Sequence, residues 1–282
     1  MIRLCSRLDF PGSFSSVRLQ STCQNKCCET APCRHGGTCR EVCDVNSRRF
    51  QCTCPPGYTG HRCQVVVPPR SCKEVMIFKQ VKTNGIYNIT DQQNISFPVH
   101  CDFGPEPGVA WTLIQSHSLQ SNDAFKSKAF YLHDMPTNQD APEWNNYRLS
   151  MSRMKSIQDV STHWRATCNF PTTGVDYRDY WRVSLEDLDL FVEPIADAFC
   201  LFSEFVNIRG NECANCTVWT AYSPVYSLLM DSRYNQERGC EFNGQAGGKE
   251  NEDNFGFYES TNTAFGCTSS ISSTSQFWLG SF

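Results

Sequence analysis

The chain has 282 residues, 18 of them cysteine, and a formal net charge of −4. Cytosolic reduction would leave that many thiols open to damage, so the composition points to an oxidising compartment and away from an ordinary cytosolic protein. Charge is divided unevenly: residues 1–71 carry ten Lys and Arg against four Asp and Glu, and residues 72–282 carry fifteen against twenty-five. An acidic larger half argues against nucleic acid as a partner.

In chain order, residues 1–22 are expected to be unstructured or incomplete, because they lack the apolar core of an export signal. Residues 23–63 are cysteine-dense and turn-rich. Residues 64–71 (QVVVPPRS) read as a linker stiffened by Pro68-Pro69, and residues 72–282 form the second domain. There, Ile95, Phe97, Val99, Cys101 and Phe103 alternate with polar positions, as do Trp164, Ala166, Cys168 and Phe170, which predicts half-buried strands. VAWTLIQ predicts a strand buried on both faces. Met151, Met154 and Ile157 share one face of a short helix over residues 151–159. The apolar stretch 185–206 includes Glu186, Asp187, Asp189, Glu193, Asp197 and Glu204. It cannot insert in a membrane and reads as an amphipathic surface segment burying Leu188, Phe191, Ile195 and Phe199.

Cys28, Cys33, Cys39, Cys52, Cys54 and Cys63 follow one another at spacings x4, x5, x12, x1 and x8, with Gly36-Gly37 and the turn PPGYTG between them. This frame resembles the EGF-like family. The resemblance implies the bridges Cys28–Cys39, Cys33–Cys52 and Cys54–Cys63, which spacing alone does not select. About forty residues bury too little apolar surface to fold unaided, and each bridge contributes about 3 kcal/mol in the chain-entropy model. Phe50 and Tyr58 are the expected core. Where calcium-binding members place oxygen ligands, this chain has Gln24, Asn25, Lys26 and Val45, so the module is read as calcium-independent. Cys5, Cys23, Cys27 and Cys43 fall outside the frame, and a Cys27–Cys43 bridge is expected.

Cys72, Gly85-Ile86-Tyr87, Val99-His100-Cys101-Asp102 and Trp111-Thr112-Leu113-Ile114-Gln115 resemble the opening of the fibrinogen-related C-terminal domain family, which implies a Cys72–Cys101 bridge. Past Ser116 that pattern stops, and no ligand residue of the family carries over. STHWRATCNF, GVDYRDYWRV, VNIRG, NCT and EDNFGFY, together with the first module, resemble secreted cnidarian proteins that include coral skeletal organic matrix proteins. The expected fold is therefore a small disulfide-rich EGF-like module followed by an α+β, β-rich fibrinogen-related-like domain with long loops. Six further cysteines, Cys168, Cys200, Cys213, Cys216, Cys240 and Cys267, are expected to form three structural bridges, including Cys213 and Cys216 with their redox-like spacing.

Asn88, Asn94 and Asn215 each open an Asn-x-Ser/Thr glycan acceptor. His35, His61, His100, His117, His133 and His163 are dispersed, without metal-ligand spacing, and neither a nucleophile elbow nor a phosphate loop is found. The chain is therefore read as no enzyme. Glu250, Asn251, Glu252, Asp253 and Asn254 offer five oxygen-bearing side chains in one apparent loop, a candidate calcium site and the one cofactor considered. The expectation is a secreted extracellular matrix or adhesion protein whose partners are glycans, matrix proteins or a mineral surface. A calcium-dependent lectin is the alternative and a secreted hydrolase the lesser one.

Overall fold

The computed structural model describes residues 26–42, 49–104, 106–233, 237–250 and 252–282. The segment 1–22, Cys5, Cys23, Cys43, Gln24, Asn25, Val45 and Asn251 lie outside the described residues. The chain divides at Pro68 and Pro69 into two compact units.

In the first unit, β1 (Thr38–Glu41) pairs with β2 (Phe50–Thr53), and β3 (Tyr58–Thr59) pairs with β4 (Val65–Val66), both antiparallel. Two short hairpins cannot hold themselves together. They are tied by Cys28–Cys39, Cys33–Cys52 and Cys54–Cys63. Cys27 is also disulfide-bonded. A Cβ on Gly37 would stand 2.7 Å from Cys63 Sγ, so the cysteine crowding itself requires glycine there. Phe50 is buried against His61, and Tyr58 stacks on His35 at 4.2 Å. Of the segment read as a linker, Val65–Val66 belong to this hairpin, while Ser71 caps the first helix of the second unit.

The second unit opens with α1 (Cys72–Lys79), where Ser71 accepts from Glu74 N and Glu74 accepts from Arg70 N. This reciprocal capping is encoded locally. There follow β5 (Gly85–Thr90), β6 (Ser96–Asp102), β7 (Ala110–Ser118), β8 (Asn146–Arg148), α2 (Met151–Gln158), β9 (His163–Cys168) and the four-residue α3 (Phe170–Thr173). β10 (Tyr180–Ser184), β11 (Ala198–Ile208), β12 (Asn211–Ala221), β13 (Leu229–Met230), β14 (Glu252–Asp253), β15 (Phe257–Tyr258) and β16 (Thr274–Ser281) complete it. One ten-stranded antiparallel sheet runs β13-β12-β11-β10-β9-β16-β7-β6-β5, with β8 also paired to β7. The last strand, β16, thus sits mid-sheet between β9 and β7, so the sheet closes only when the end of the chain arrives. β14 and β15 form a separate two-stranded ribbon.

Trp111, Trp164, Trp181 and Trp278 are fully buried and fix the core. β6 buries Phe97, Val99 and Cys101 on one face, while Ile95, expected to join them, lies before the strand and is 56% exposed. β9 departs from simple alternation: Arg165 and Thr167 are as buried as Trp164 and Ala166. The reason is a buried ion pair. Arg165 donates to Asp102 at 2.6 Å and lies between the rings of Trp111 and Trp278 at 4.7 and 4.8 Å. In the acidic stretch, Leu188 and Phe191 are buried, but Ile195 is wholly exposed and does not belong to an apolar face. The loop at residues 192–197 lets it leave the periodic pattern.

Candidate functional site

On the outer side of the sheet, successive strands build a recess of about 490 Å³ lined by His163, Arg182, Glu204, Phe205, Ala214, Asn215 and Phe282. That volume falls within the range of about 300–1,000 Å³ of small-molecule sites. His163 opens β9, Arg182 lies in β10, Glu204 and Phe205 in β11, Ala214 and Asn215 in β12, and Phe282 follows β16. Arg182, Phe205 and Ala214 are cross-strand partners in one row. Ala214 has only a methyl group there, which leaves the recess open.

Asn215 adopts a left-handed backbone conformation, φ 53°, within β12. Asparagine tolerates this region better than most residues. It stands between Cys213 and Cys216, which are bonded to each other, and is exposed at the recess.

The polar wall is a continuous chain of contacts from Thr162 to Glu106. His163 Nε2 lies 2.8 Å from Glu204 Oε1, and its Nδ1 lies 2.7 Å from Thr162 Oγ1. Arg182 donates from Nε to Glu204 Oε2 at 2.9 Å and through its terminal nitrogen to Glu106 at 2.8 Å. The exposed Phe282 ring receives the edge of His163 at 4.7 Å and the Arg182 guanidinium at 5.1 Å. Burial, and then Glu106, push the Tyr177 hydroxyl above its usual range. An aromatic face beside charge-compensated polar groups suits the apolar face and hydroxyl edge of a sugar, or a peptide side chain. The charged groups are spent on one another, which fits them to orient a ligand.

A second recess of about 210 Å³ is lined by Cys168, Asn169, Asp176, Arg178, Asp179 and Gly266, among others. Asp179 accepts from Arg209 N at 2.6 Å and Gly266 N at 2.8 Å, and burial raises its pKa. These contacts bind the turn after β11 and the loop before β16 together.

The described residues of the expected calcium loop do not turn their side chains to one site. Glu252 is fully buried in β14, where its Oε2 accepts from Arg209 at 3.2 Å, Asn262 at 2.7 Å and Lys249 N at 3.1 Å. Asn254 is buried and bridges Met230 through its backbone, whereas Glu250 is exposed. Calcium would have to displace Arg209 from Glu252. Among the described residues no group of three His, Cys, Asp or Glu is placed to hold a metal ion.

Asp253 behaves differently from Glu252. Burial, reinforced by Asp231, Glu259 and Glu252, raises its carboxyl from 3.8 to about 7. The folded state therefore keeps this proton up to about pH 7, while the unfolded chain releases it near 4. This group's contribution makes stability fall as pH rises between those values and level off above 7. His117, stacked on Phe125 and pushed down to about 4 by burial, acts with the opposite sign, lowering stability as pH falls from 6.5 to 4. Comparison with a variant isolates the first effect. Asp253→Asn is expected to stabilise the protein on the order of 1–2 kcal/mol at pH 8, and the difference from wild type vanishes near pH 4. Thermal unfolding of both proteins from pH 4 to 8 checks this; a constant difference across the series contradicts it.

The acceptor residues Asn88, Asn94 and Asn215 are all exposed, Asn88 on the sheet-edge strand β5. Cys72–Cys101 joins α1 to β6, Cys168–Cys267 joins β9 to the turn before β16, and Cys200–Cys240 joins β11 to a loop. No free cysteine occurs among the described residues. Of the recess residues, sequence reasoning singled out Asn215 as a glycan acceptor, named His163 only as dispersed and Glu204 only as one acid of a surface stretch. Arg182 and Phe282 carried no signal, because their partners are distant in the chain.

Residues 28–62 match the model of the EGF-like domain. A 32-residue stretch is 50% identical to Toxin Bcs III 15.09 of Bunodosoma caissarum, covering 11% of this chain and 67% of that protein. Residues 28–62 are thus an EGF-like domain. Fibulin-7 of Homo sapiens is 54% identical over 37 residues, 13% of this chain and 8% of that protein. The inactive serine protease PAMR1 of Xenopus tropicalis is 32% identical over 77 residues, 27% of this chain and 10% of its own length. The chain thus spans a tenth or less of these two relatives.

Among the described residues no helix is long and apolar enough to cross a membrane.

Proposed function

We propose that this is a secreted, non-catalytic matrix or adhesion protein, in which an EGF-like module is joined to a fibrinogen-related-like recognition domain. The observation that carries the reading is the EGF-like module, with its three bridges, on a chain whose second unit holds four more. Such cross-linking forms and persists in oxidising extracellular space. The partners are matrix proteins or their glycans. The acidic second unit extends the reading to a mineral-associated organic matrix, where basic matrix proteins would meet its surplus of carboxylates.

The test uses the full chain secreted from a eukaryotic host and passed over immobilised extracellular matrix at physiological salt. Saturable retention in the micromolar range, about −8 kcal/mol, is expected, with loss of retention after reduction. Free passage, or turnover of peptide, ester or glycoside substrates by the purified chain, would sink the reading.

A further inference from the structure

We infer that the recess between β9 and β12 is the seat of the chain's own N-glycan, carried on Asn215, with the first sugar lying against Phe282. The inference rests on the secretory passage proposed above and goes beyond it by assigning the occupant.

Three observations converge. Asn215 is both an acceptor in Asn-Cys-Thr and a lining residue of the recess, so the acceptor residue is itself part of the wall. The left-handed backbone of Asn215 and the Cys213–Cys216 bridge hold it there. The recess offers what an N-acetylated pyranose needs. The half-exposed Phe282 ring presents an apolar face, while Glu204 and Arg182 offer the carboxylate lone pairs and N–H groups left over from their mutual contact for hydroxyl and acetamido groups. A sugar tethered at the rim is present at an effective concentration on the order of millimolar, which favours it over a free saccharide of ordinary weak affinity.

The same geometry sets the order of events. In the folded chain Thr217 Oγ1 lies 3.2 Å from Glu241, its backbone N–H also meets that carboxylate, and Cys216 is closed into its bridge. The tripeptide is therefore engaged, and transfer precedes folding of β12. Transfer forms a bond from Asn215 Nδ2 to the anomeric carbon of the oligosaccharide. It breaks that carbon's bond to the pyrophosphate of a lipid-linked donor, which leaves with the electron pair, and releases one amide proton.

The experiment uses the full chain secreted from a eukaryotic host. Occupancy at Asn88, Asn94 and Asn215 is mapped by mass spectrometry, and enzymatic glycan release is followed site by site under native conditions. Asn215 is expected to be occupied and to lose its glycan about tenfold more slowly than Asn88 and Asn94, equivalent to about 1.4 kcal/mol of protection. Phe282→Ala, at an exposed position, is expected to remove that protection without altering release at the other two sites. An unmodified Asn215 in secreted protein glycosylated elsewhere overturns the inference alone. So does release at the rate of the other sites, or protection that Phe282→Ala leaves unchanged. Retention inside the cell with all three sites unmodified overturns both this inference and the secretory reading.

Discussion

Replacing Cys168 and Cys267 together by serine lowers the stability of the second unit by about 4–5 kcal/mol, the largest effect expected of any described bridge. The two residues are 99 apart in sequence, the greatest separation among the described disulfides. In the chain-entropy model, releasing a loop of that size frees the unfolded state by about 4.7 kcal/mol at 25 °C. The bridge also has neighbours that depend on it. It holds the turn Gly266–Thr268 against the end of β9, where Asn169 donates to Gly266 O and Asp179 accepts from Gly266 N. That turn leads into β16, which must reach the middle of the sheet. Denaturant unfolding of the oxidised protein and the double variant measures the difference. Removing the Cys213–Cys216 bridge, whose cysteines are three apart, is expected to cost only about 2 kcal/mol by the same relation. Equal losses for the two bridges would contradict the entropic account.

Arg165→Met is expected to cost about 3–5 kcal/mol, because it strands the Asp102 carboxylate in the core. Asp102 is 1% exposed and also accepts from Asn84 at 2.6 Å and from Gly104 N at 3.1 Å. Those neutral donors do not replace a guanidinium. Methionine fills much of the volume between Trp111 and Trp278 but supplies no charge. Asp102→Asn in the same chain should restore a substantial part of the loss, since the uncompensated charge is then gone. A double-mutant cycle by denaturant unfolding separates this from simple packing loss; additive effects would rule out the pair as the cause.

How much of this was legible in the sequence depends on how far apart the partners are. The EGF-like module was legible as a family because its cysteines, glycines and turn residues stand within about forty positions, and a disulfide frame leaves a local spacing pattern. The helix over residues 151–159 was legible from local periodicity, and the fully buried strand at VAWTLIQ from its continuous run after Pro107-Gly108. Arg165 was not, for its alternation with Trp164 and Ala166 implied a solvated face. Its burial depends on Asp102, Trp111 and Trp278, which arrive from β6, β7 and β16.

The candidate sites follow the same rule. Residues 250–254 looked like an oxygen-rich loop because five polar side chains are adjacent; Arg209, more than forty positions away, turns Glu252 inward instead. The Gly-rich segment around Gly247-Gly248 gave no sign of that cation. The recess was invisible for the opposite reason, since His163, Arg182, Glu204, Asn215 and Phe282 meet only after four strands and the chain end have assembled. Only Asn215 announced itself, through its acceptor tripeptide.

The central claim is that this is an extracellular protein built on two disulfide-held units. A peptide map of the secreted chain, alkylated and digested without reduction, tests it most directly. The account predicts cross-linked peptides joining Cys28 to Cys39, Cys33 to Cys52, Cys54 to Cys63, Cys72 to Cys101, Cys168 to Cys267 and Cys200 to Cys240, with Cys213 and Cys216 closed on each other. Alkylated thiols at these positions, in a folded protein retained inside the cell, would contradict it.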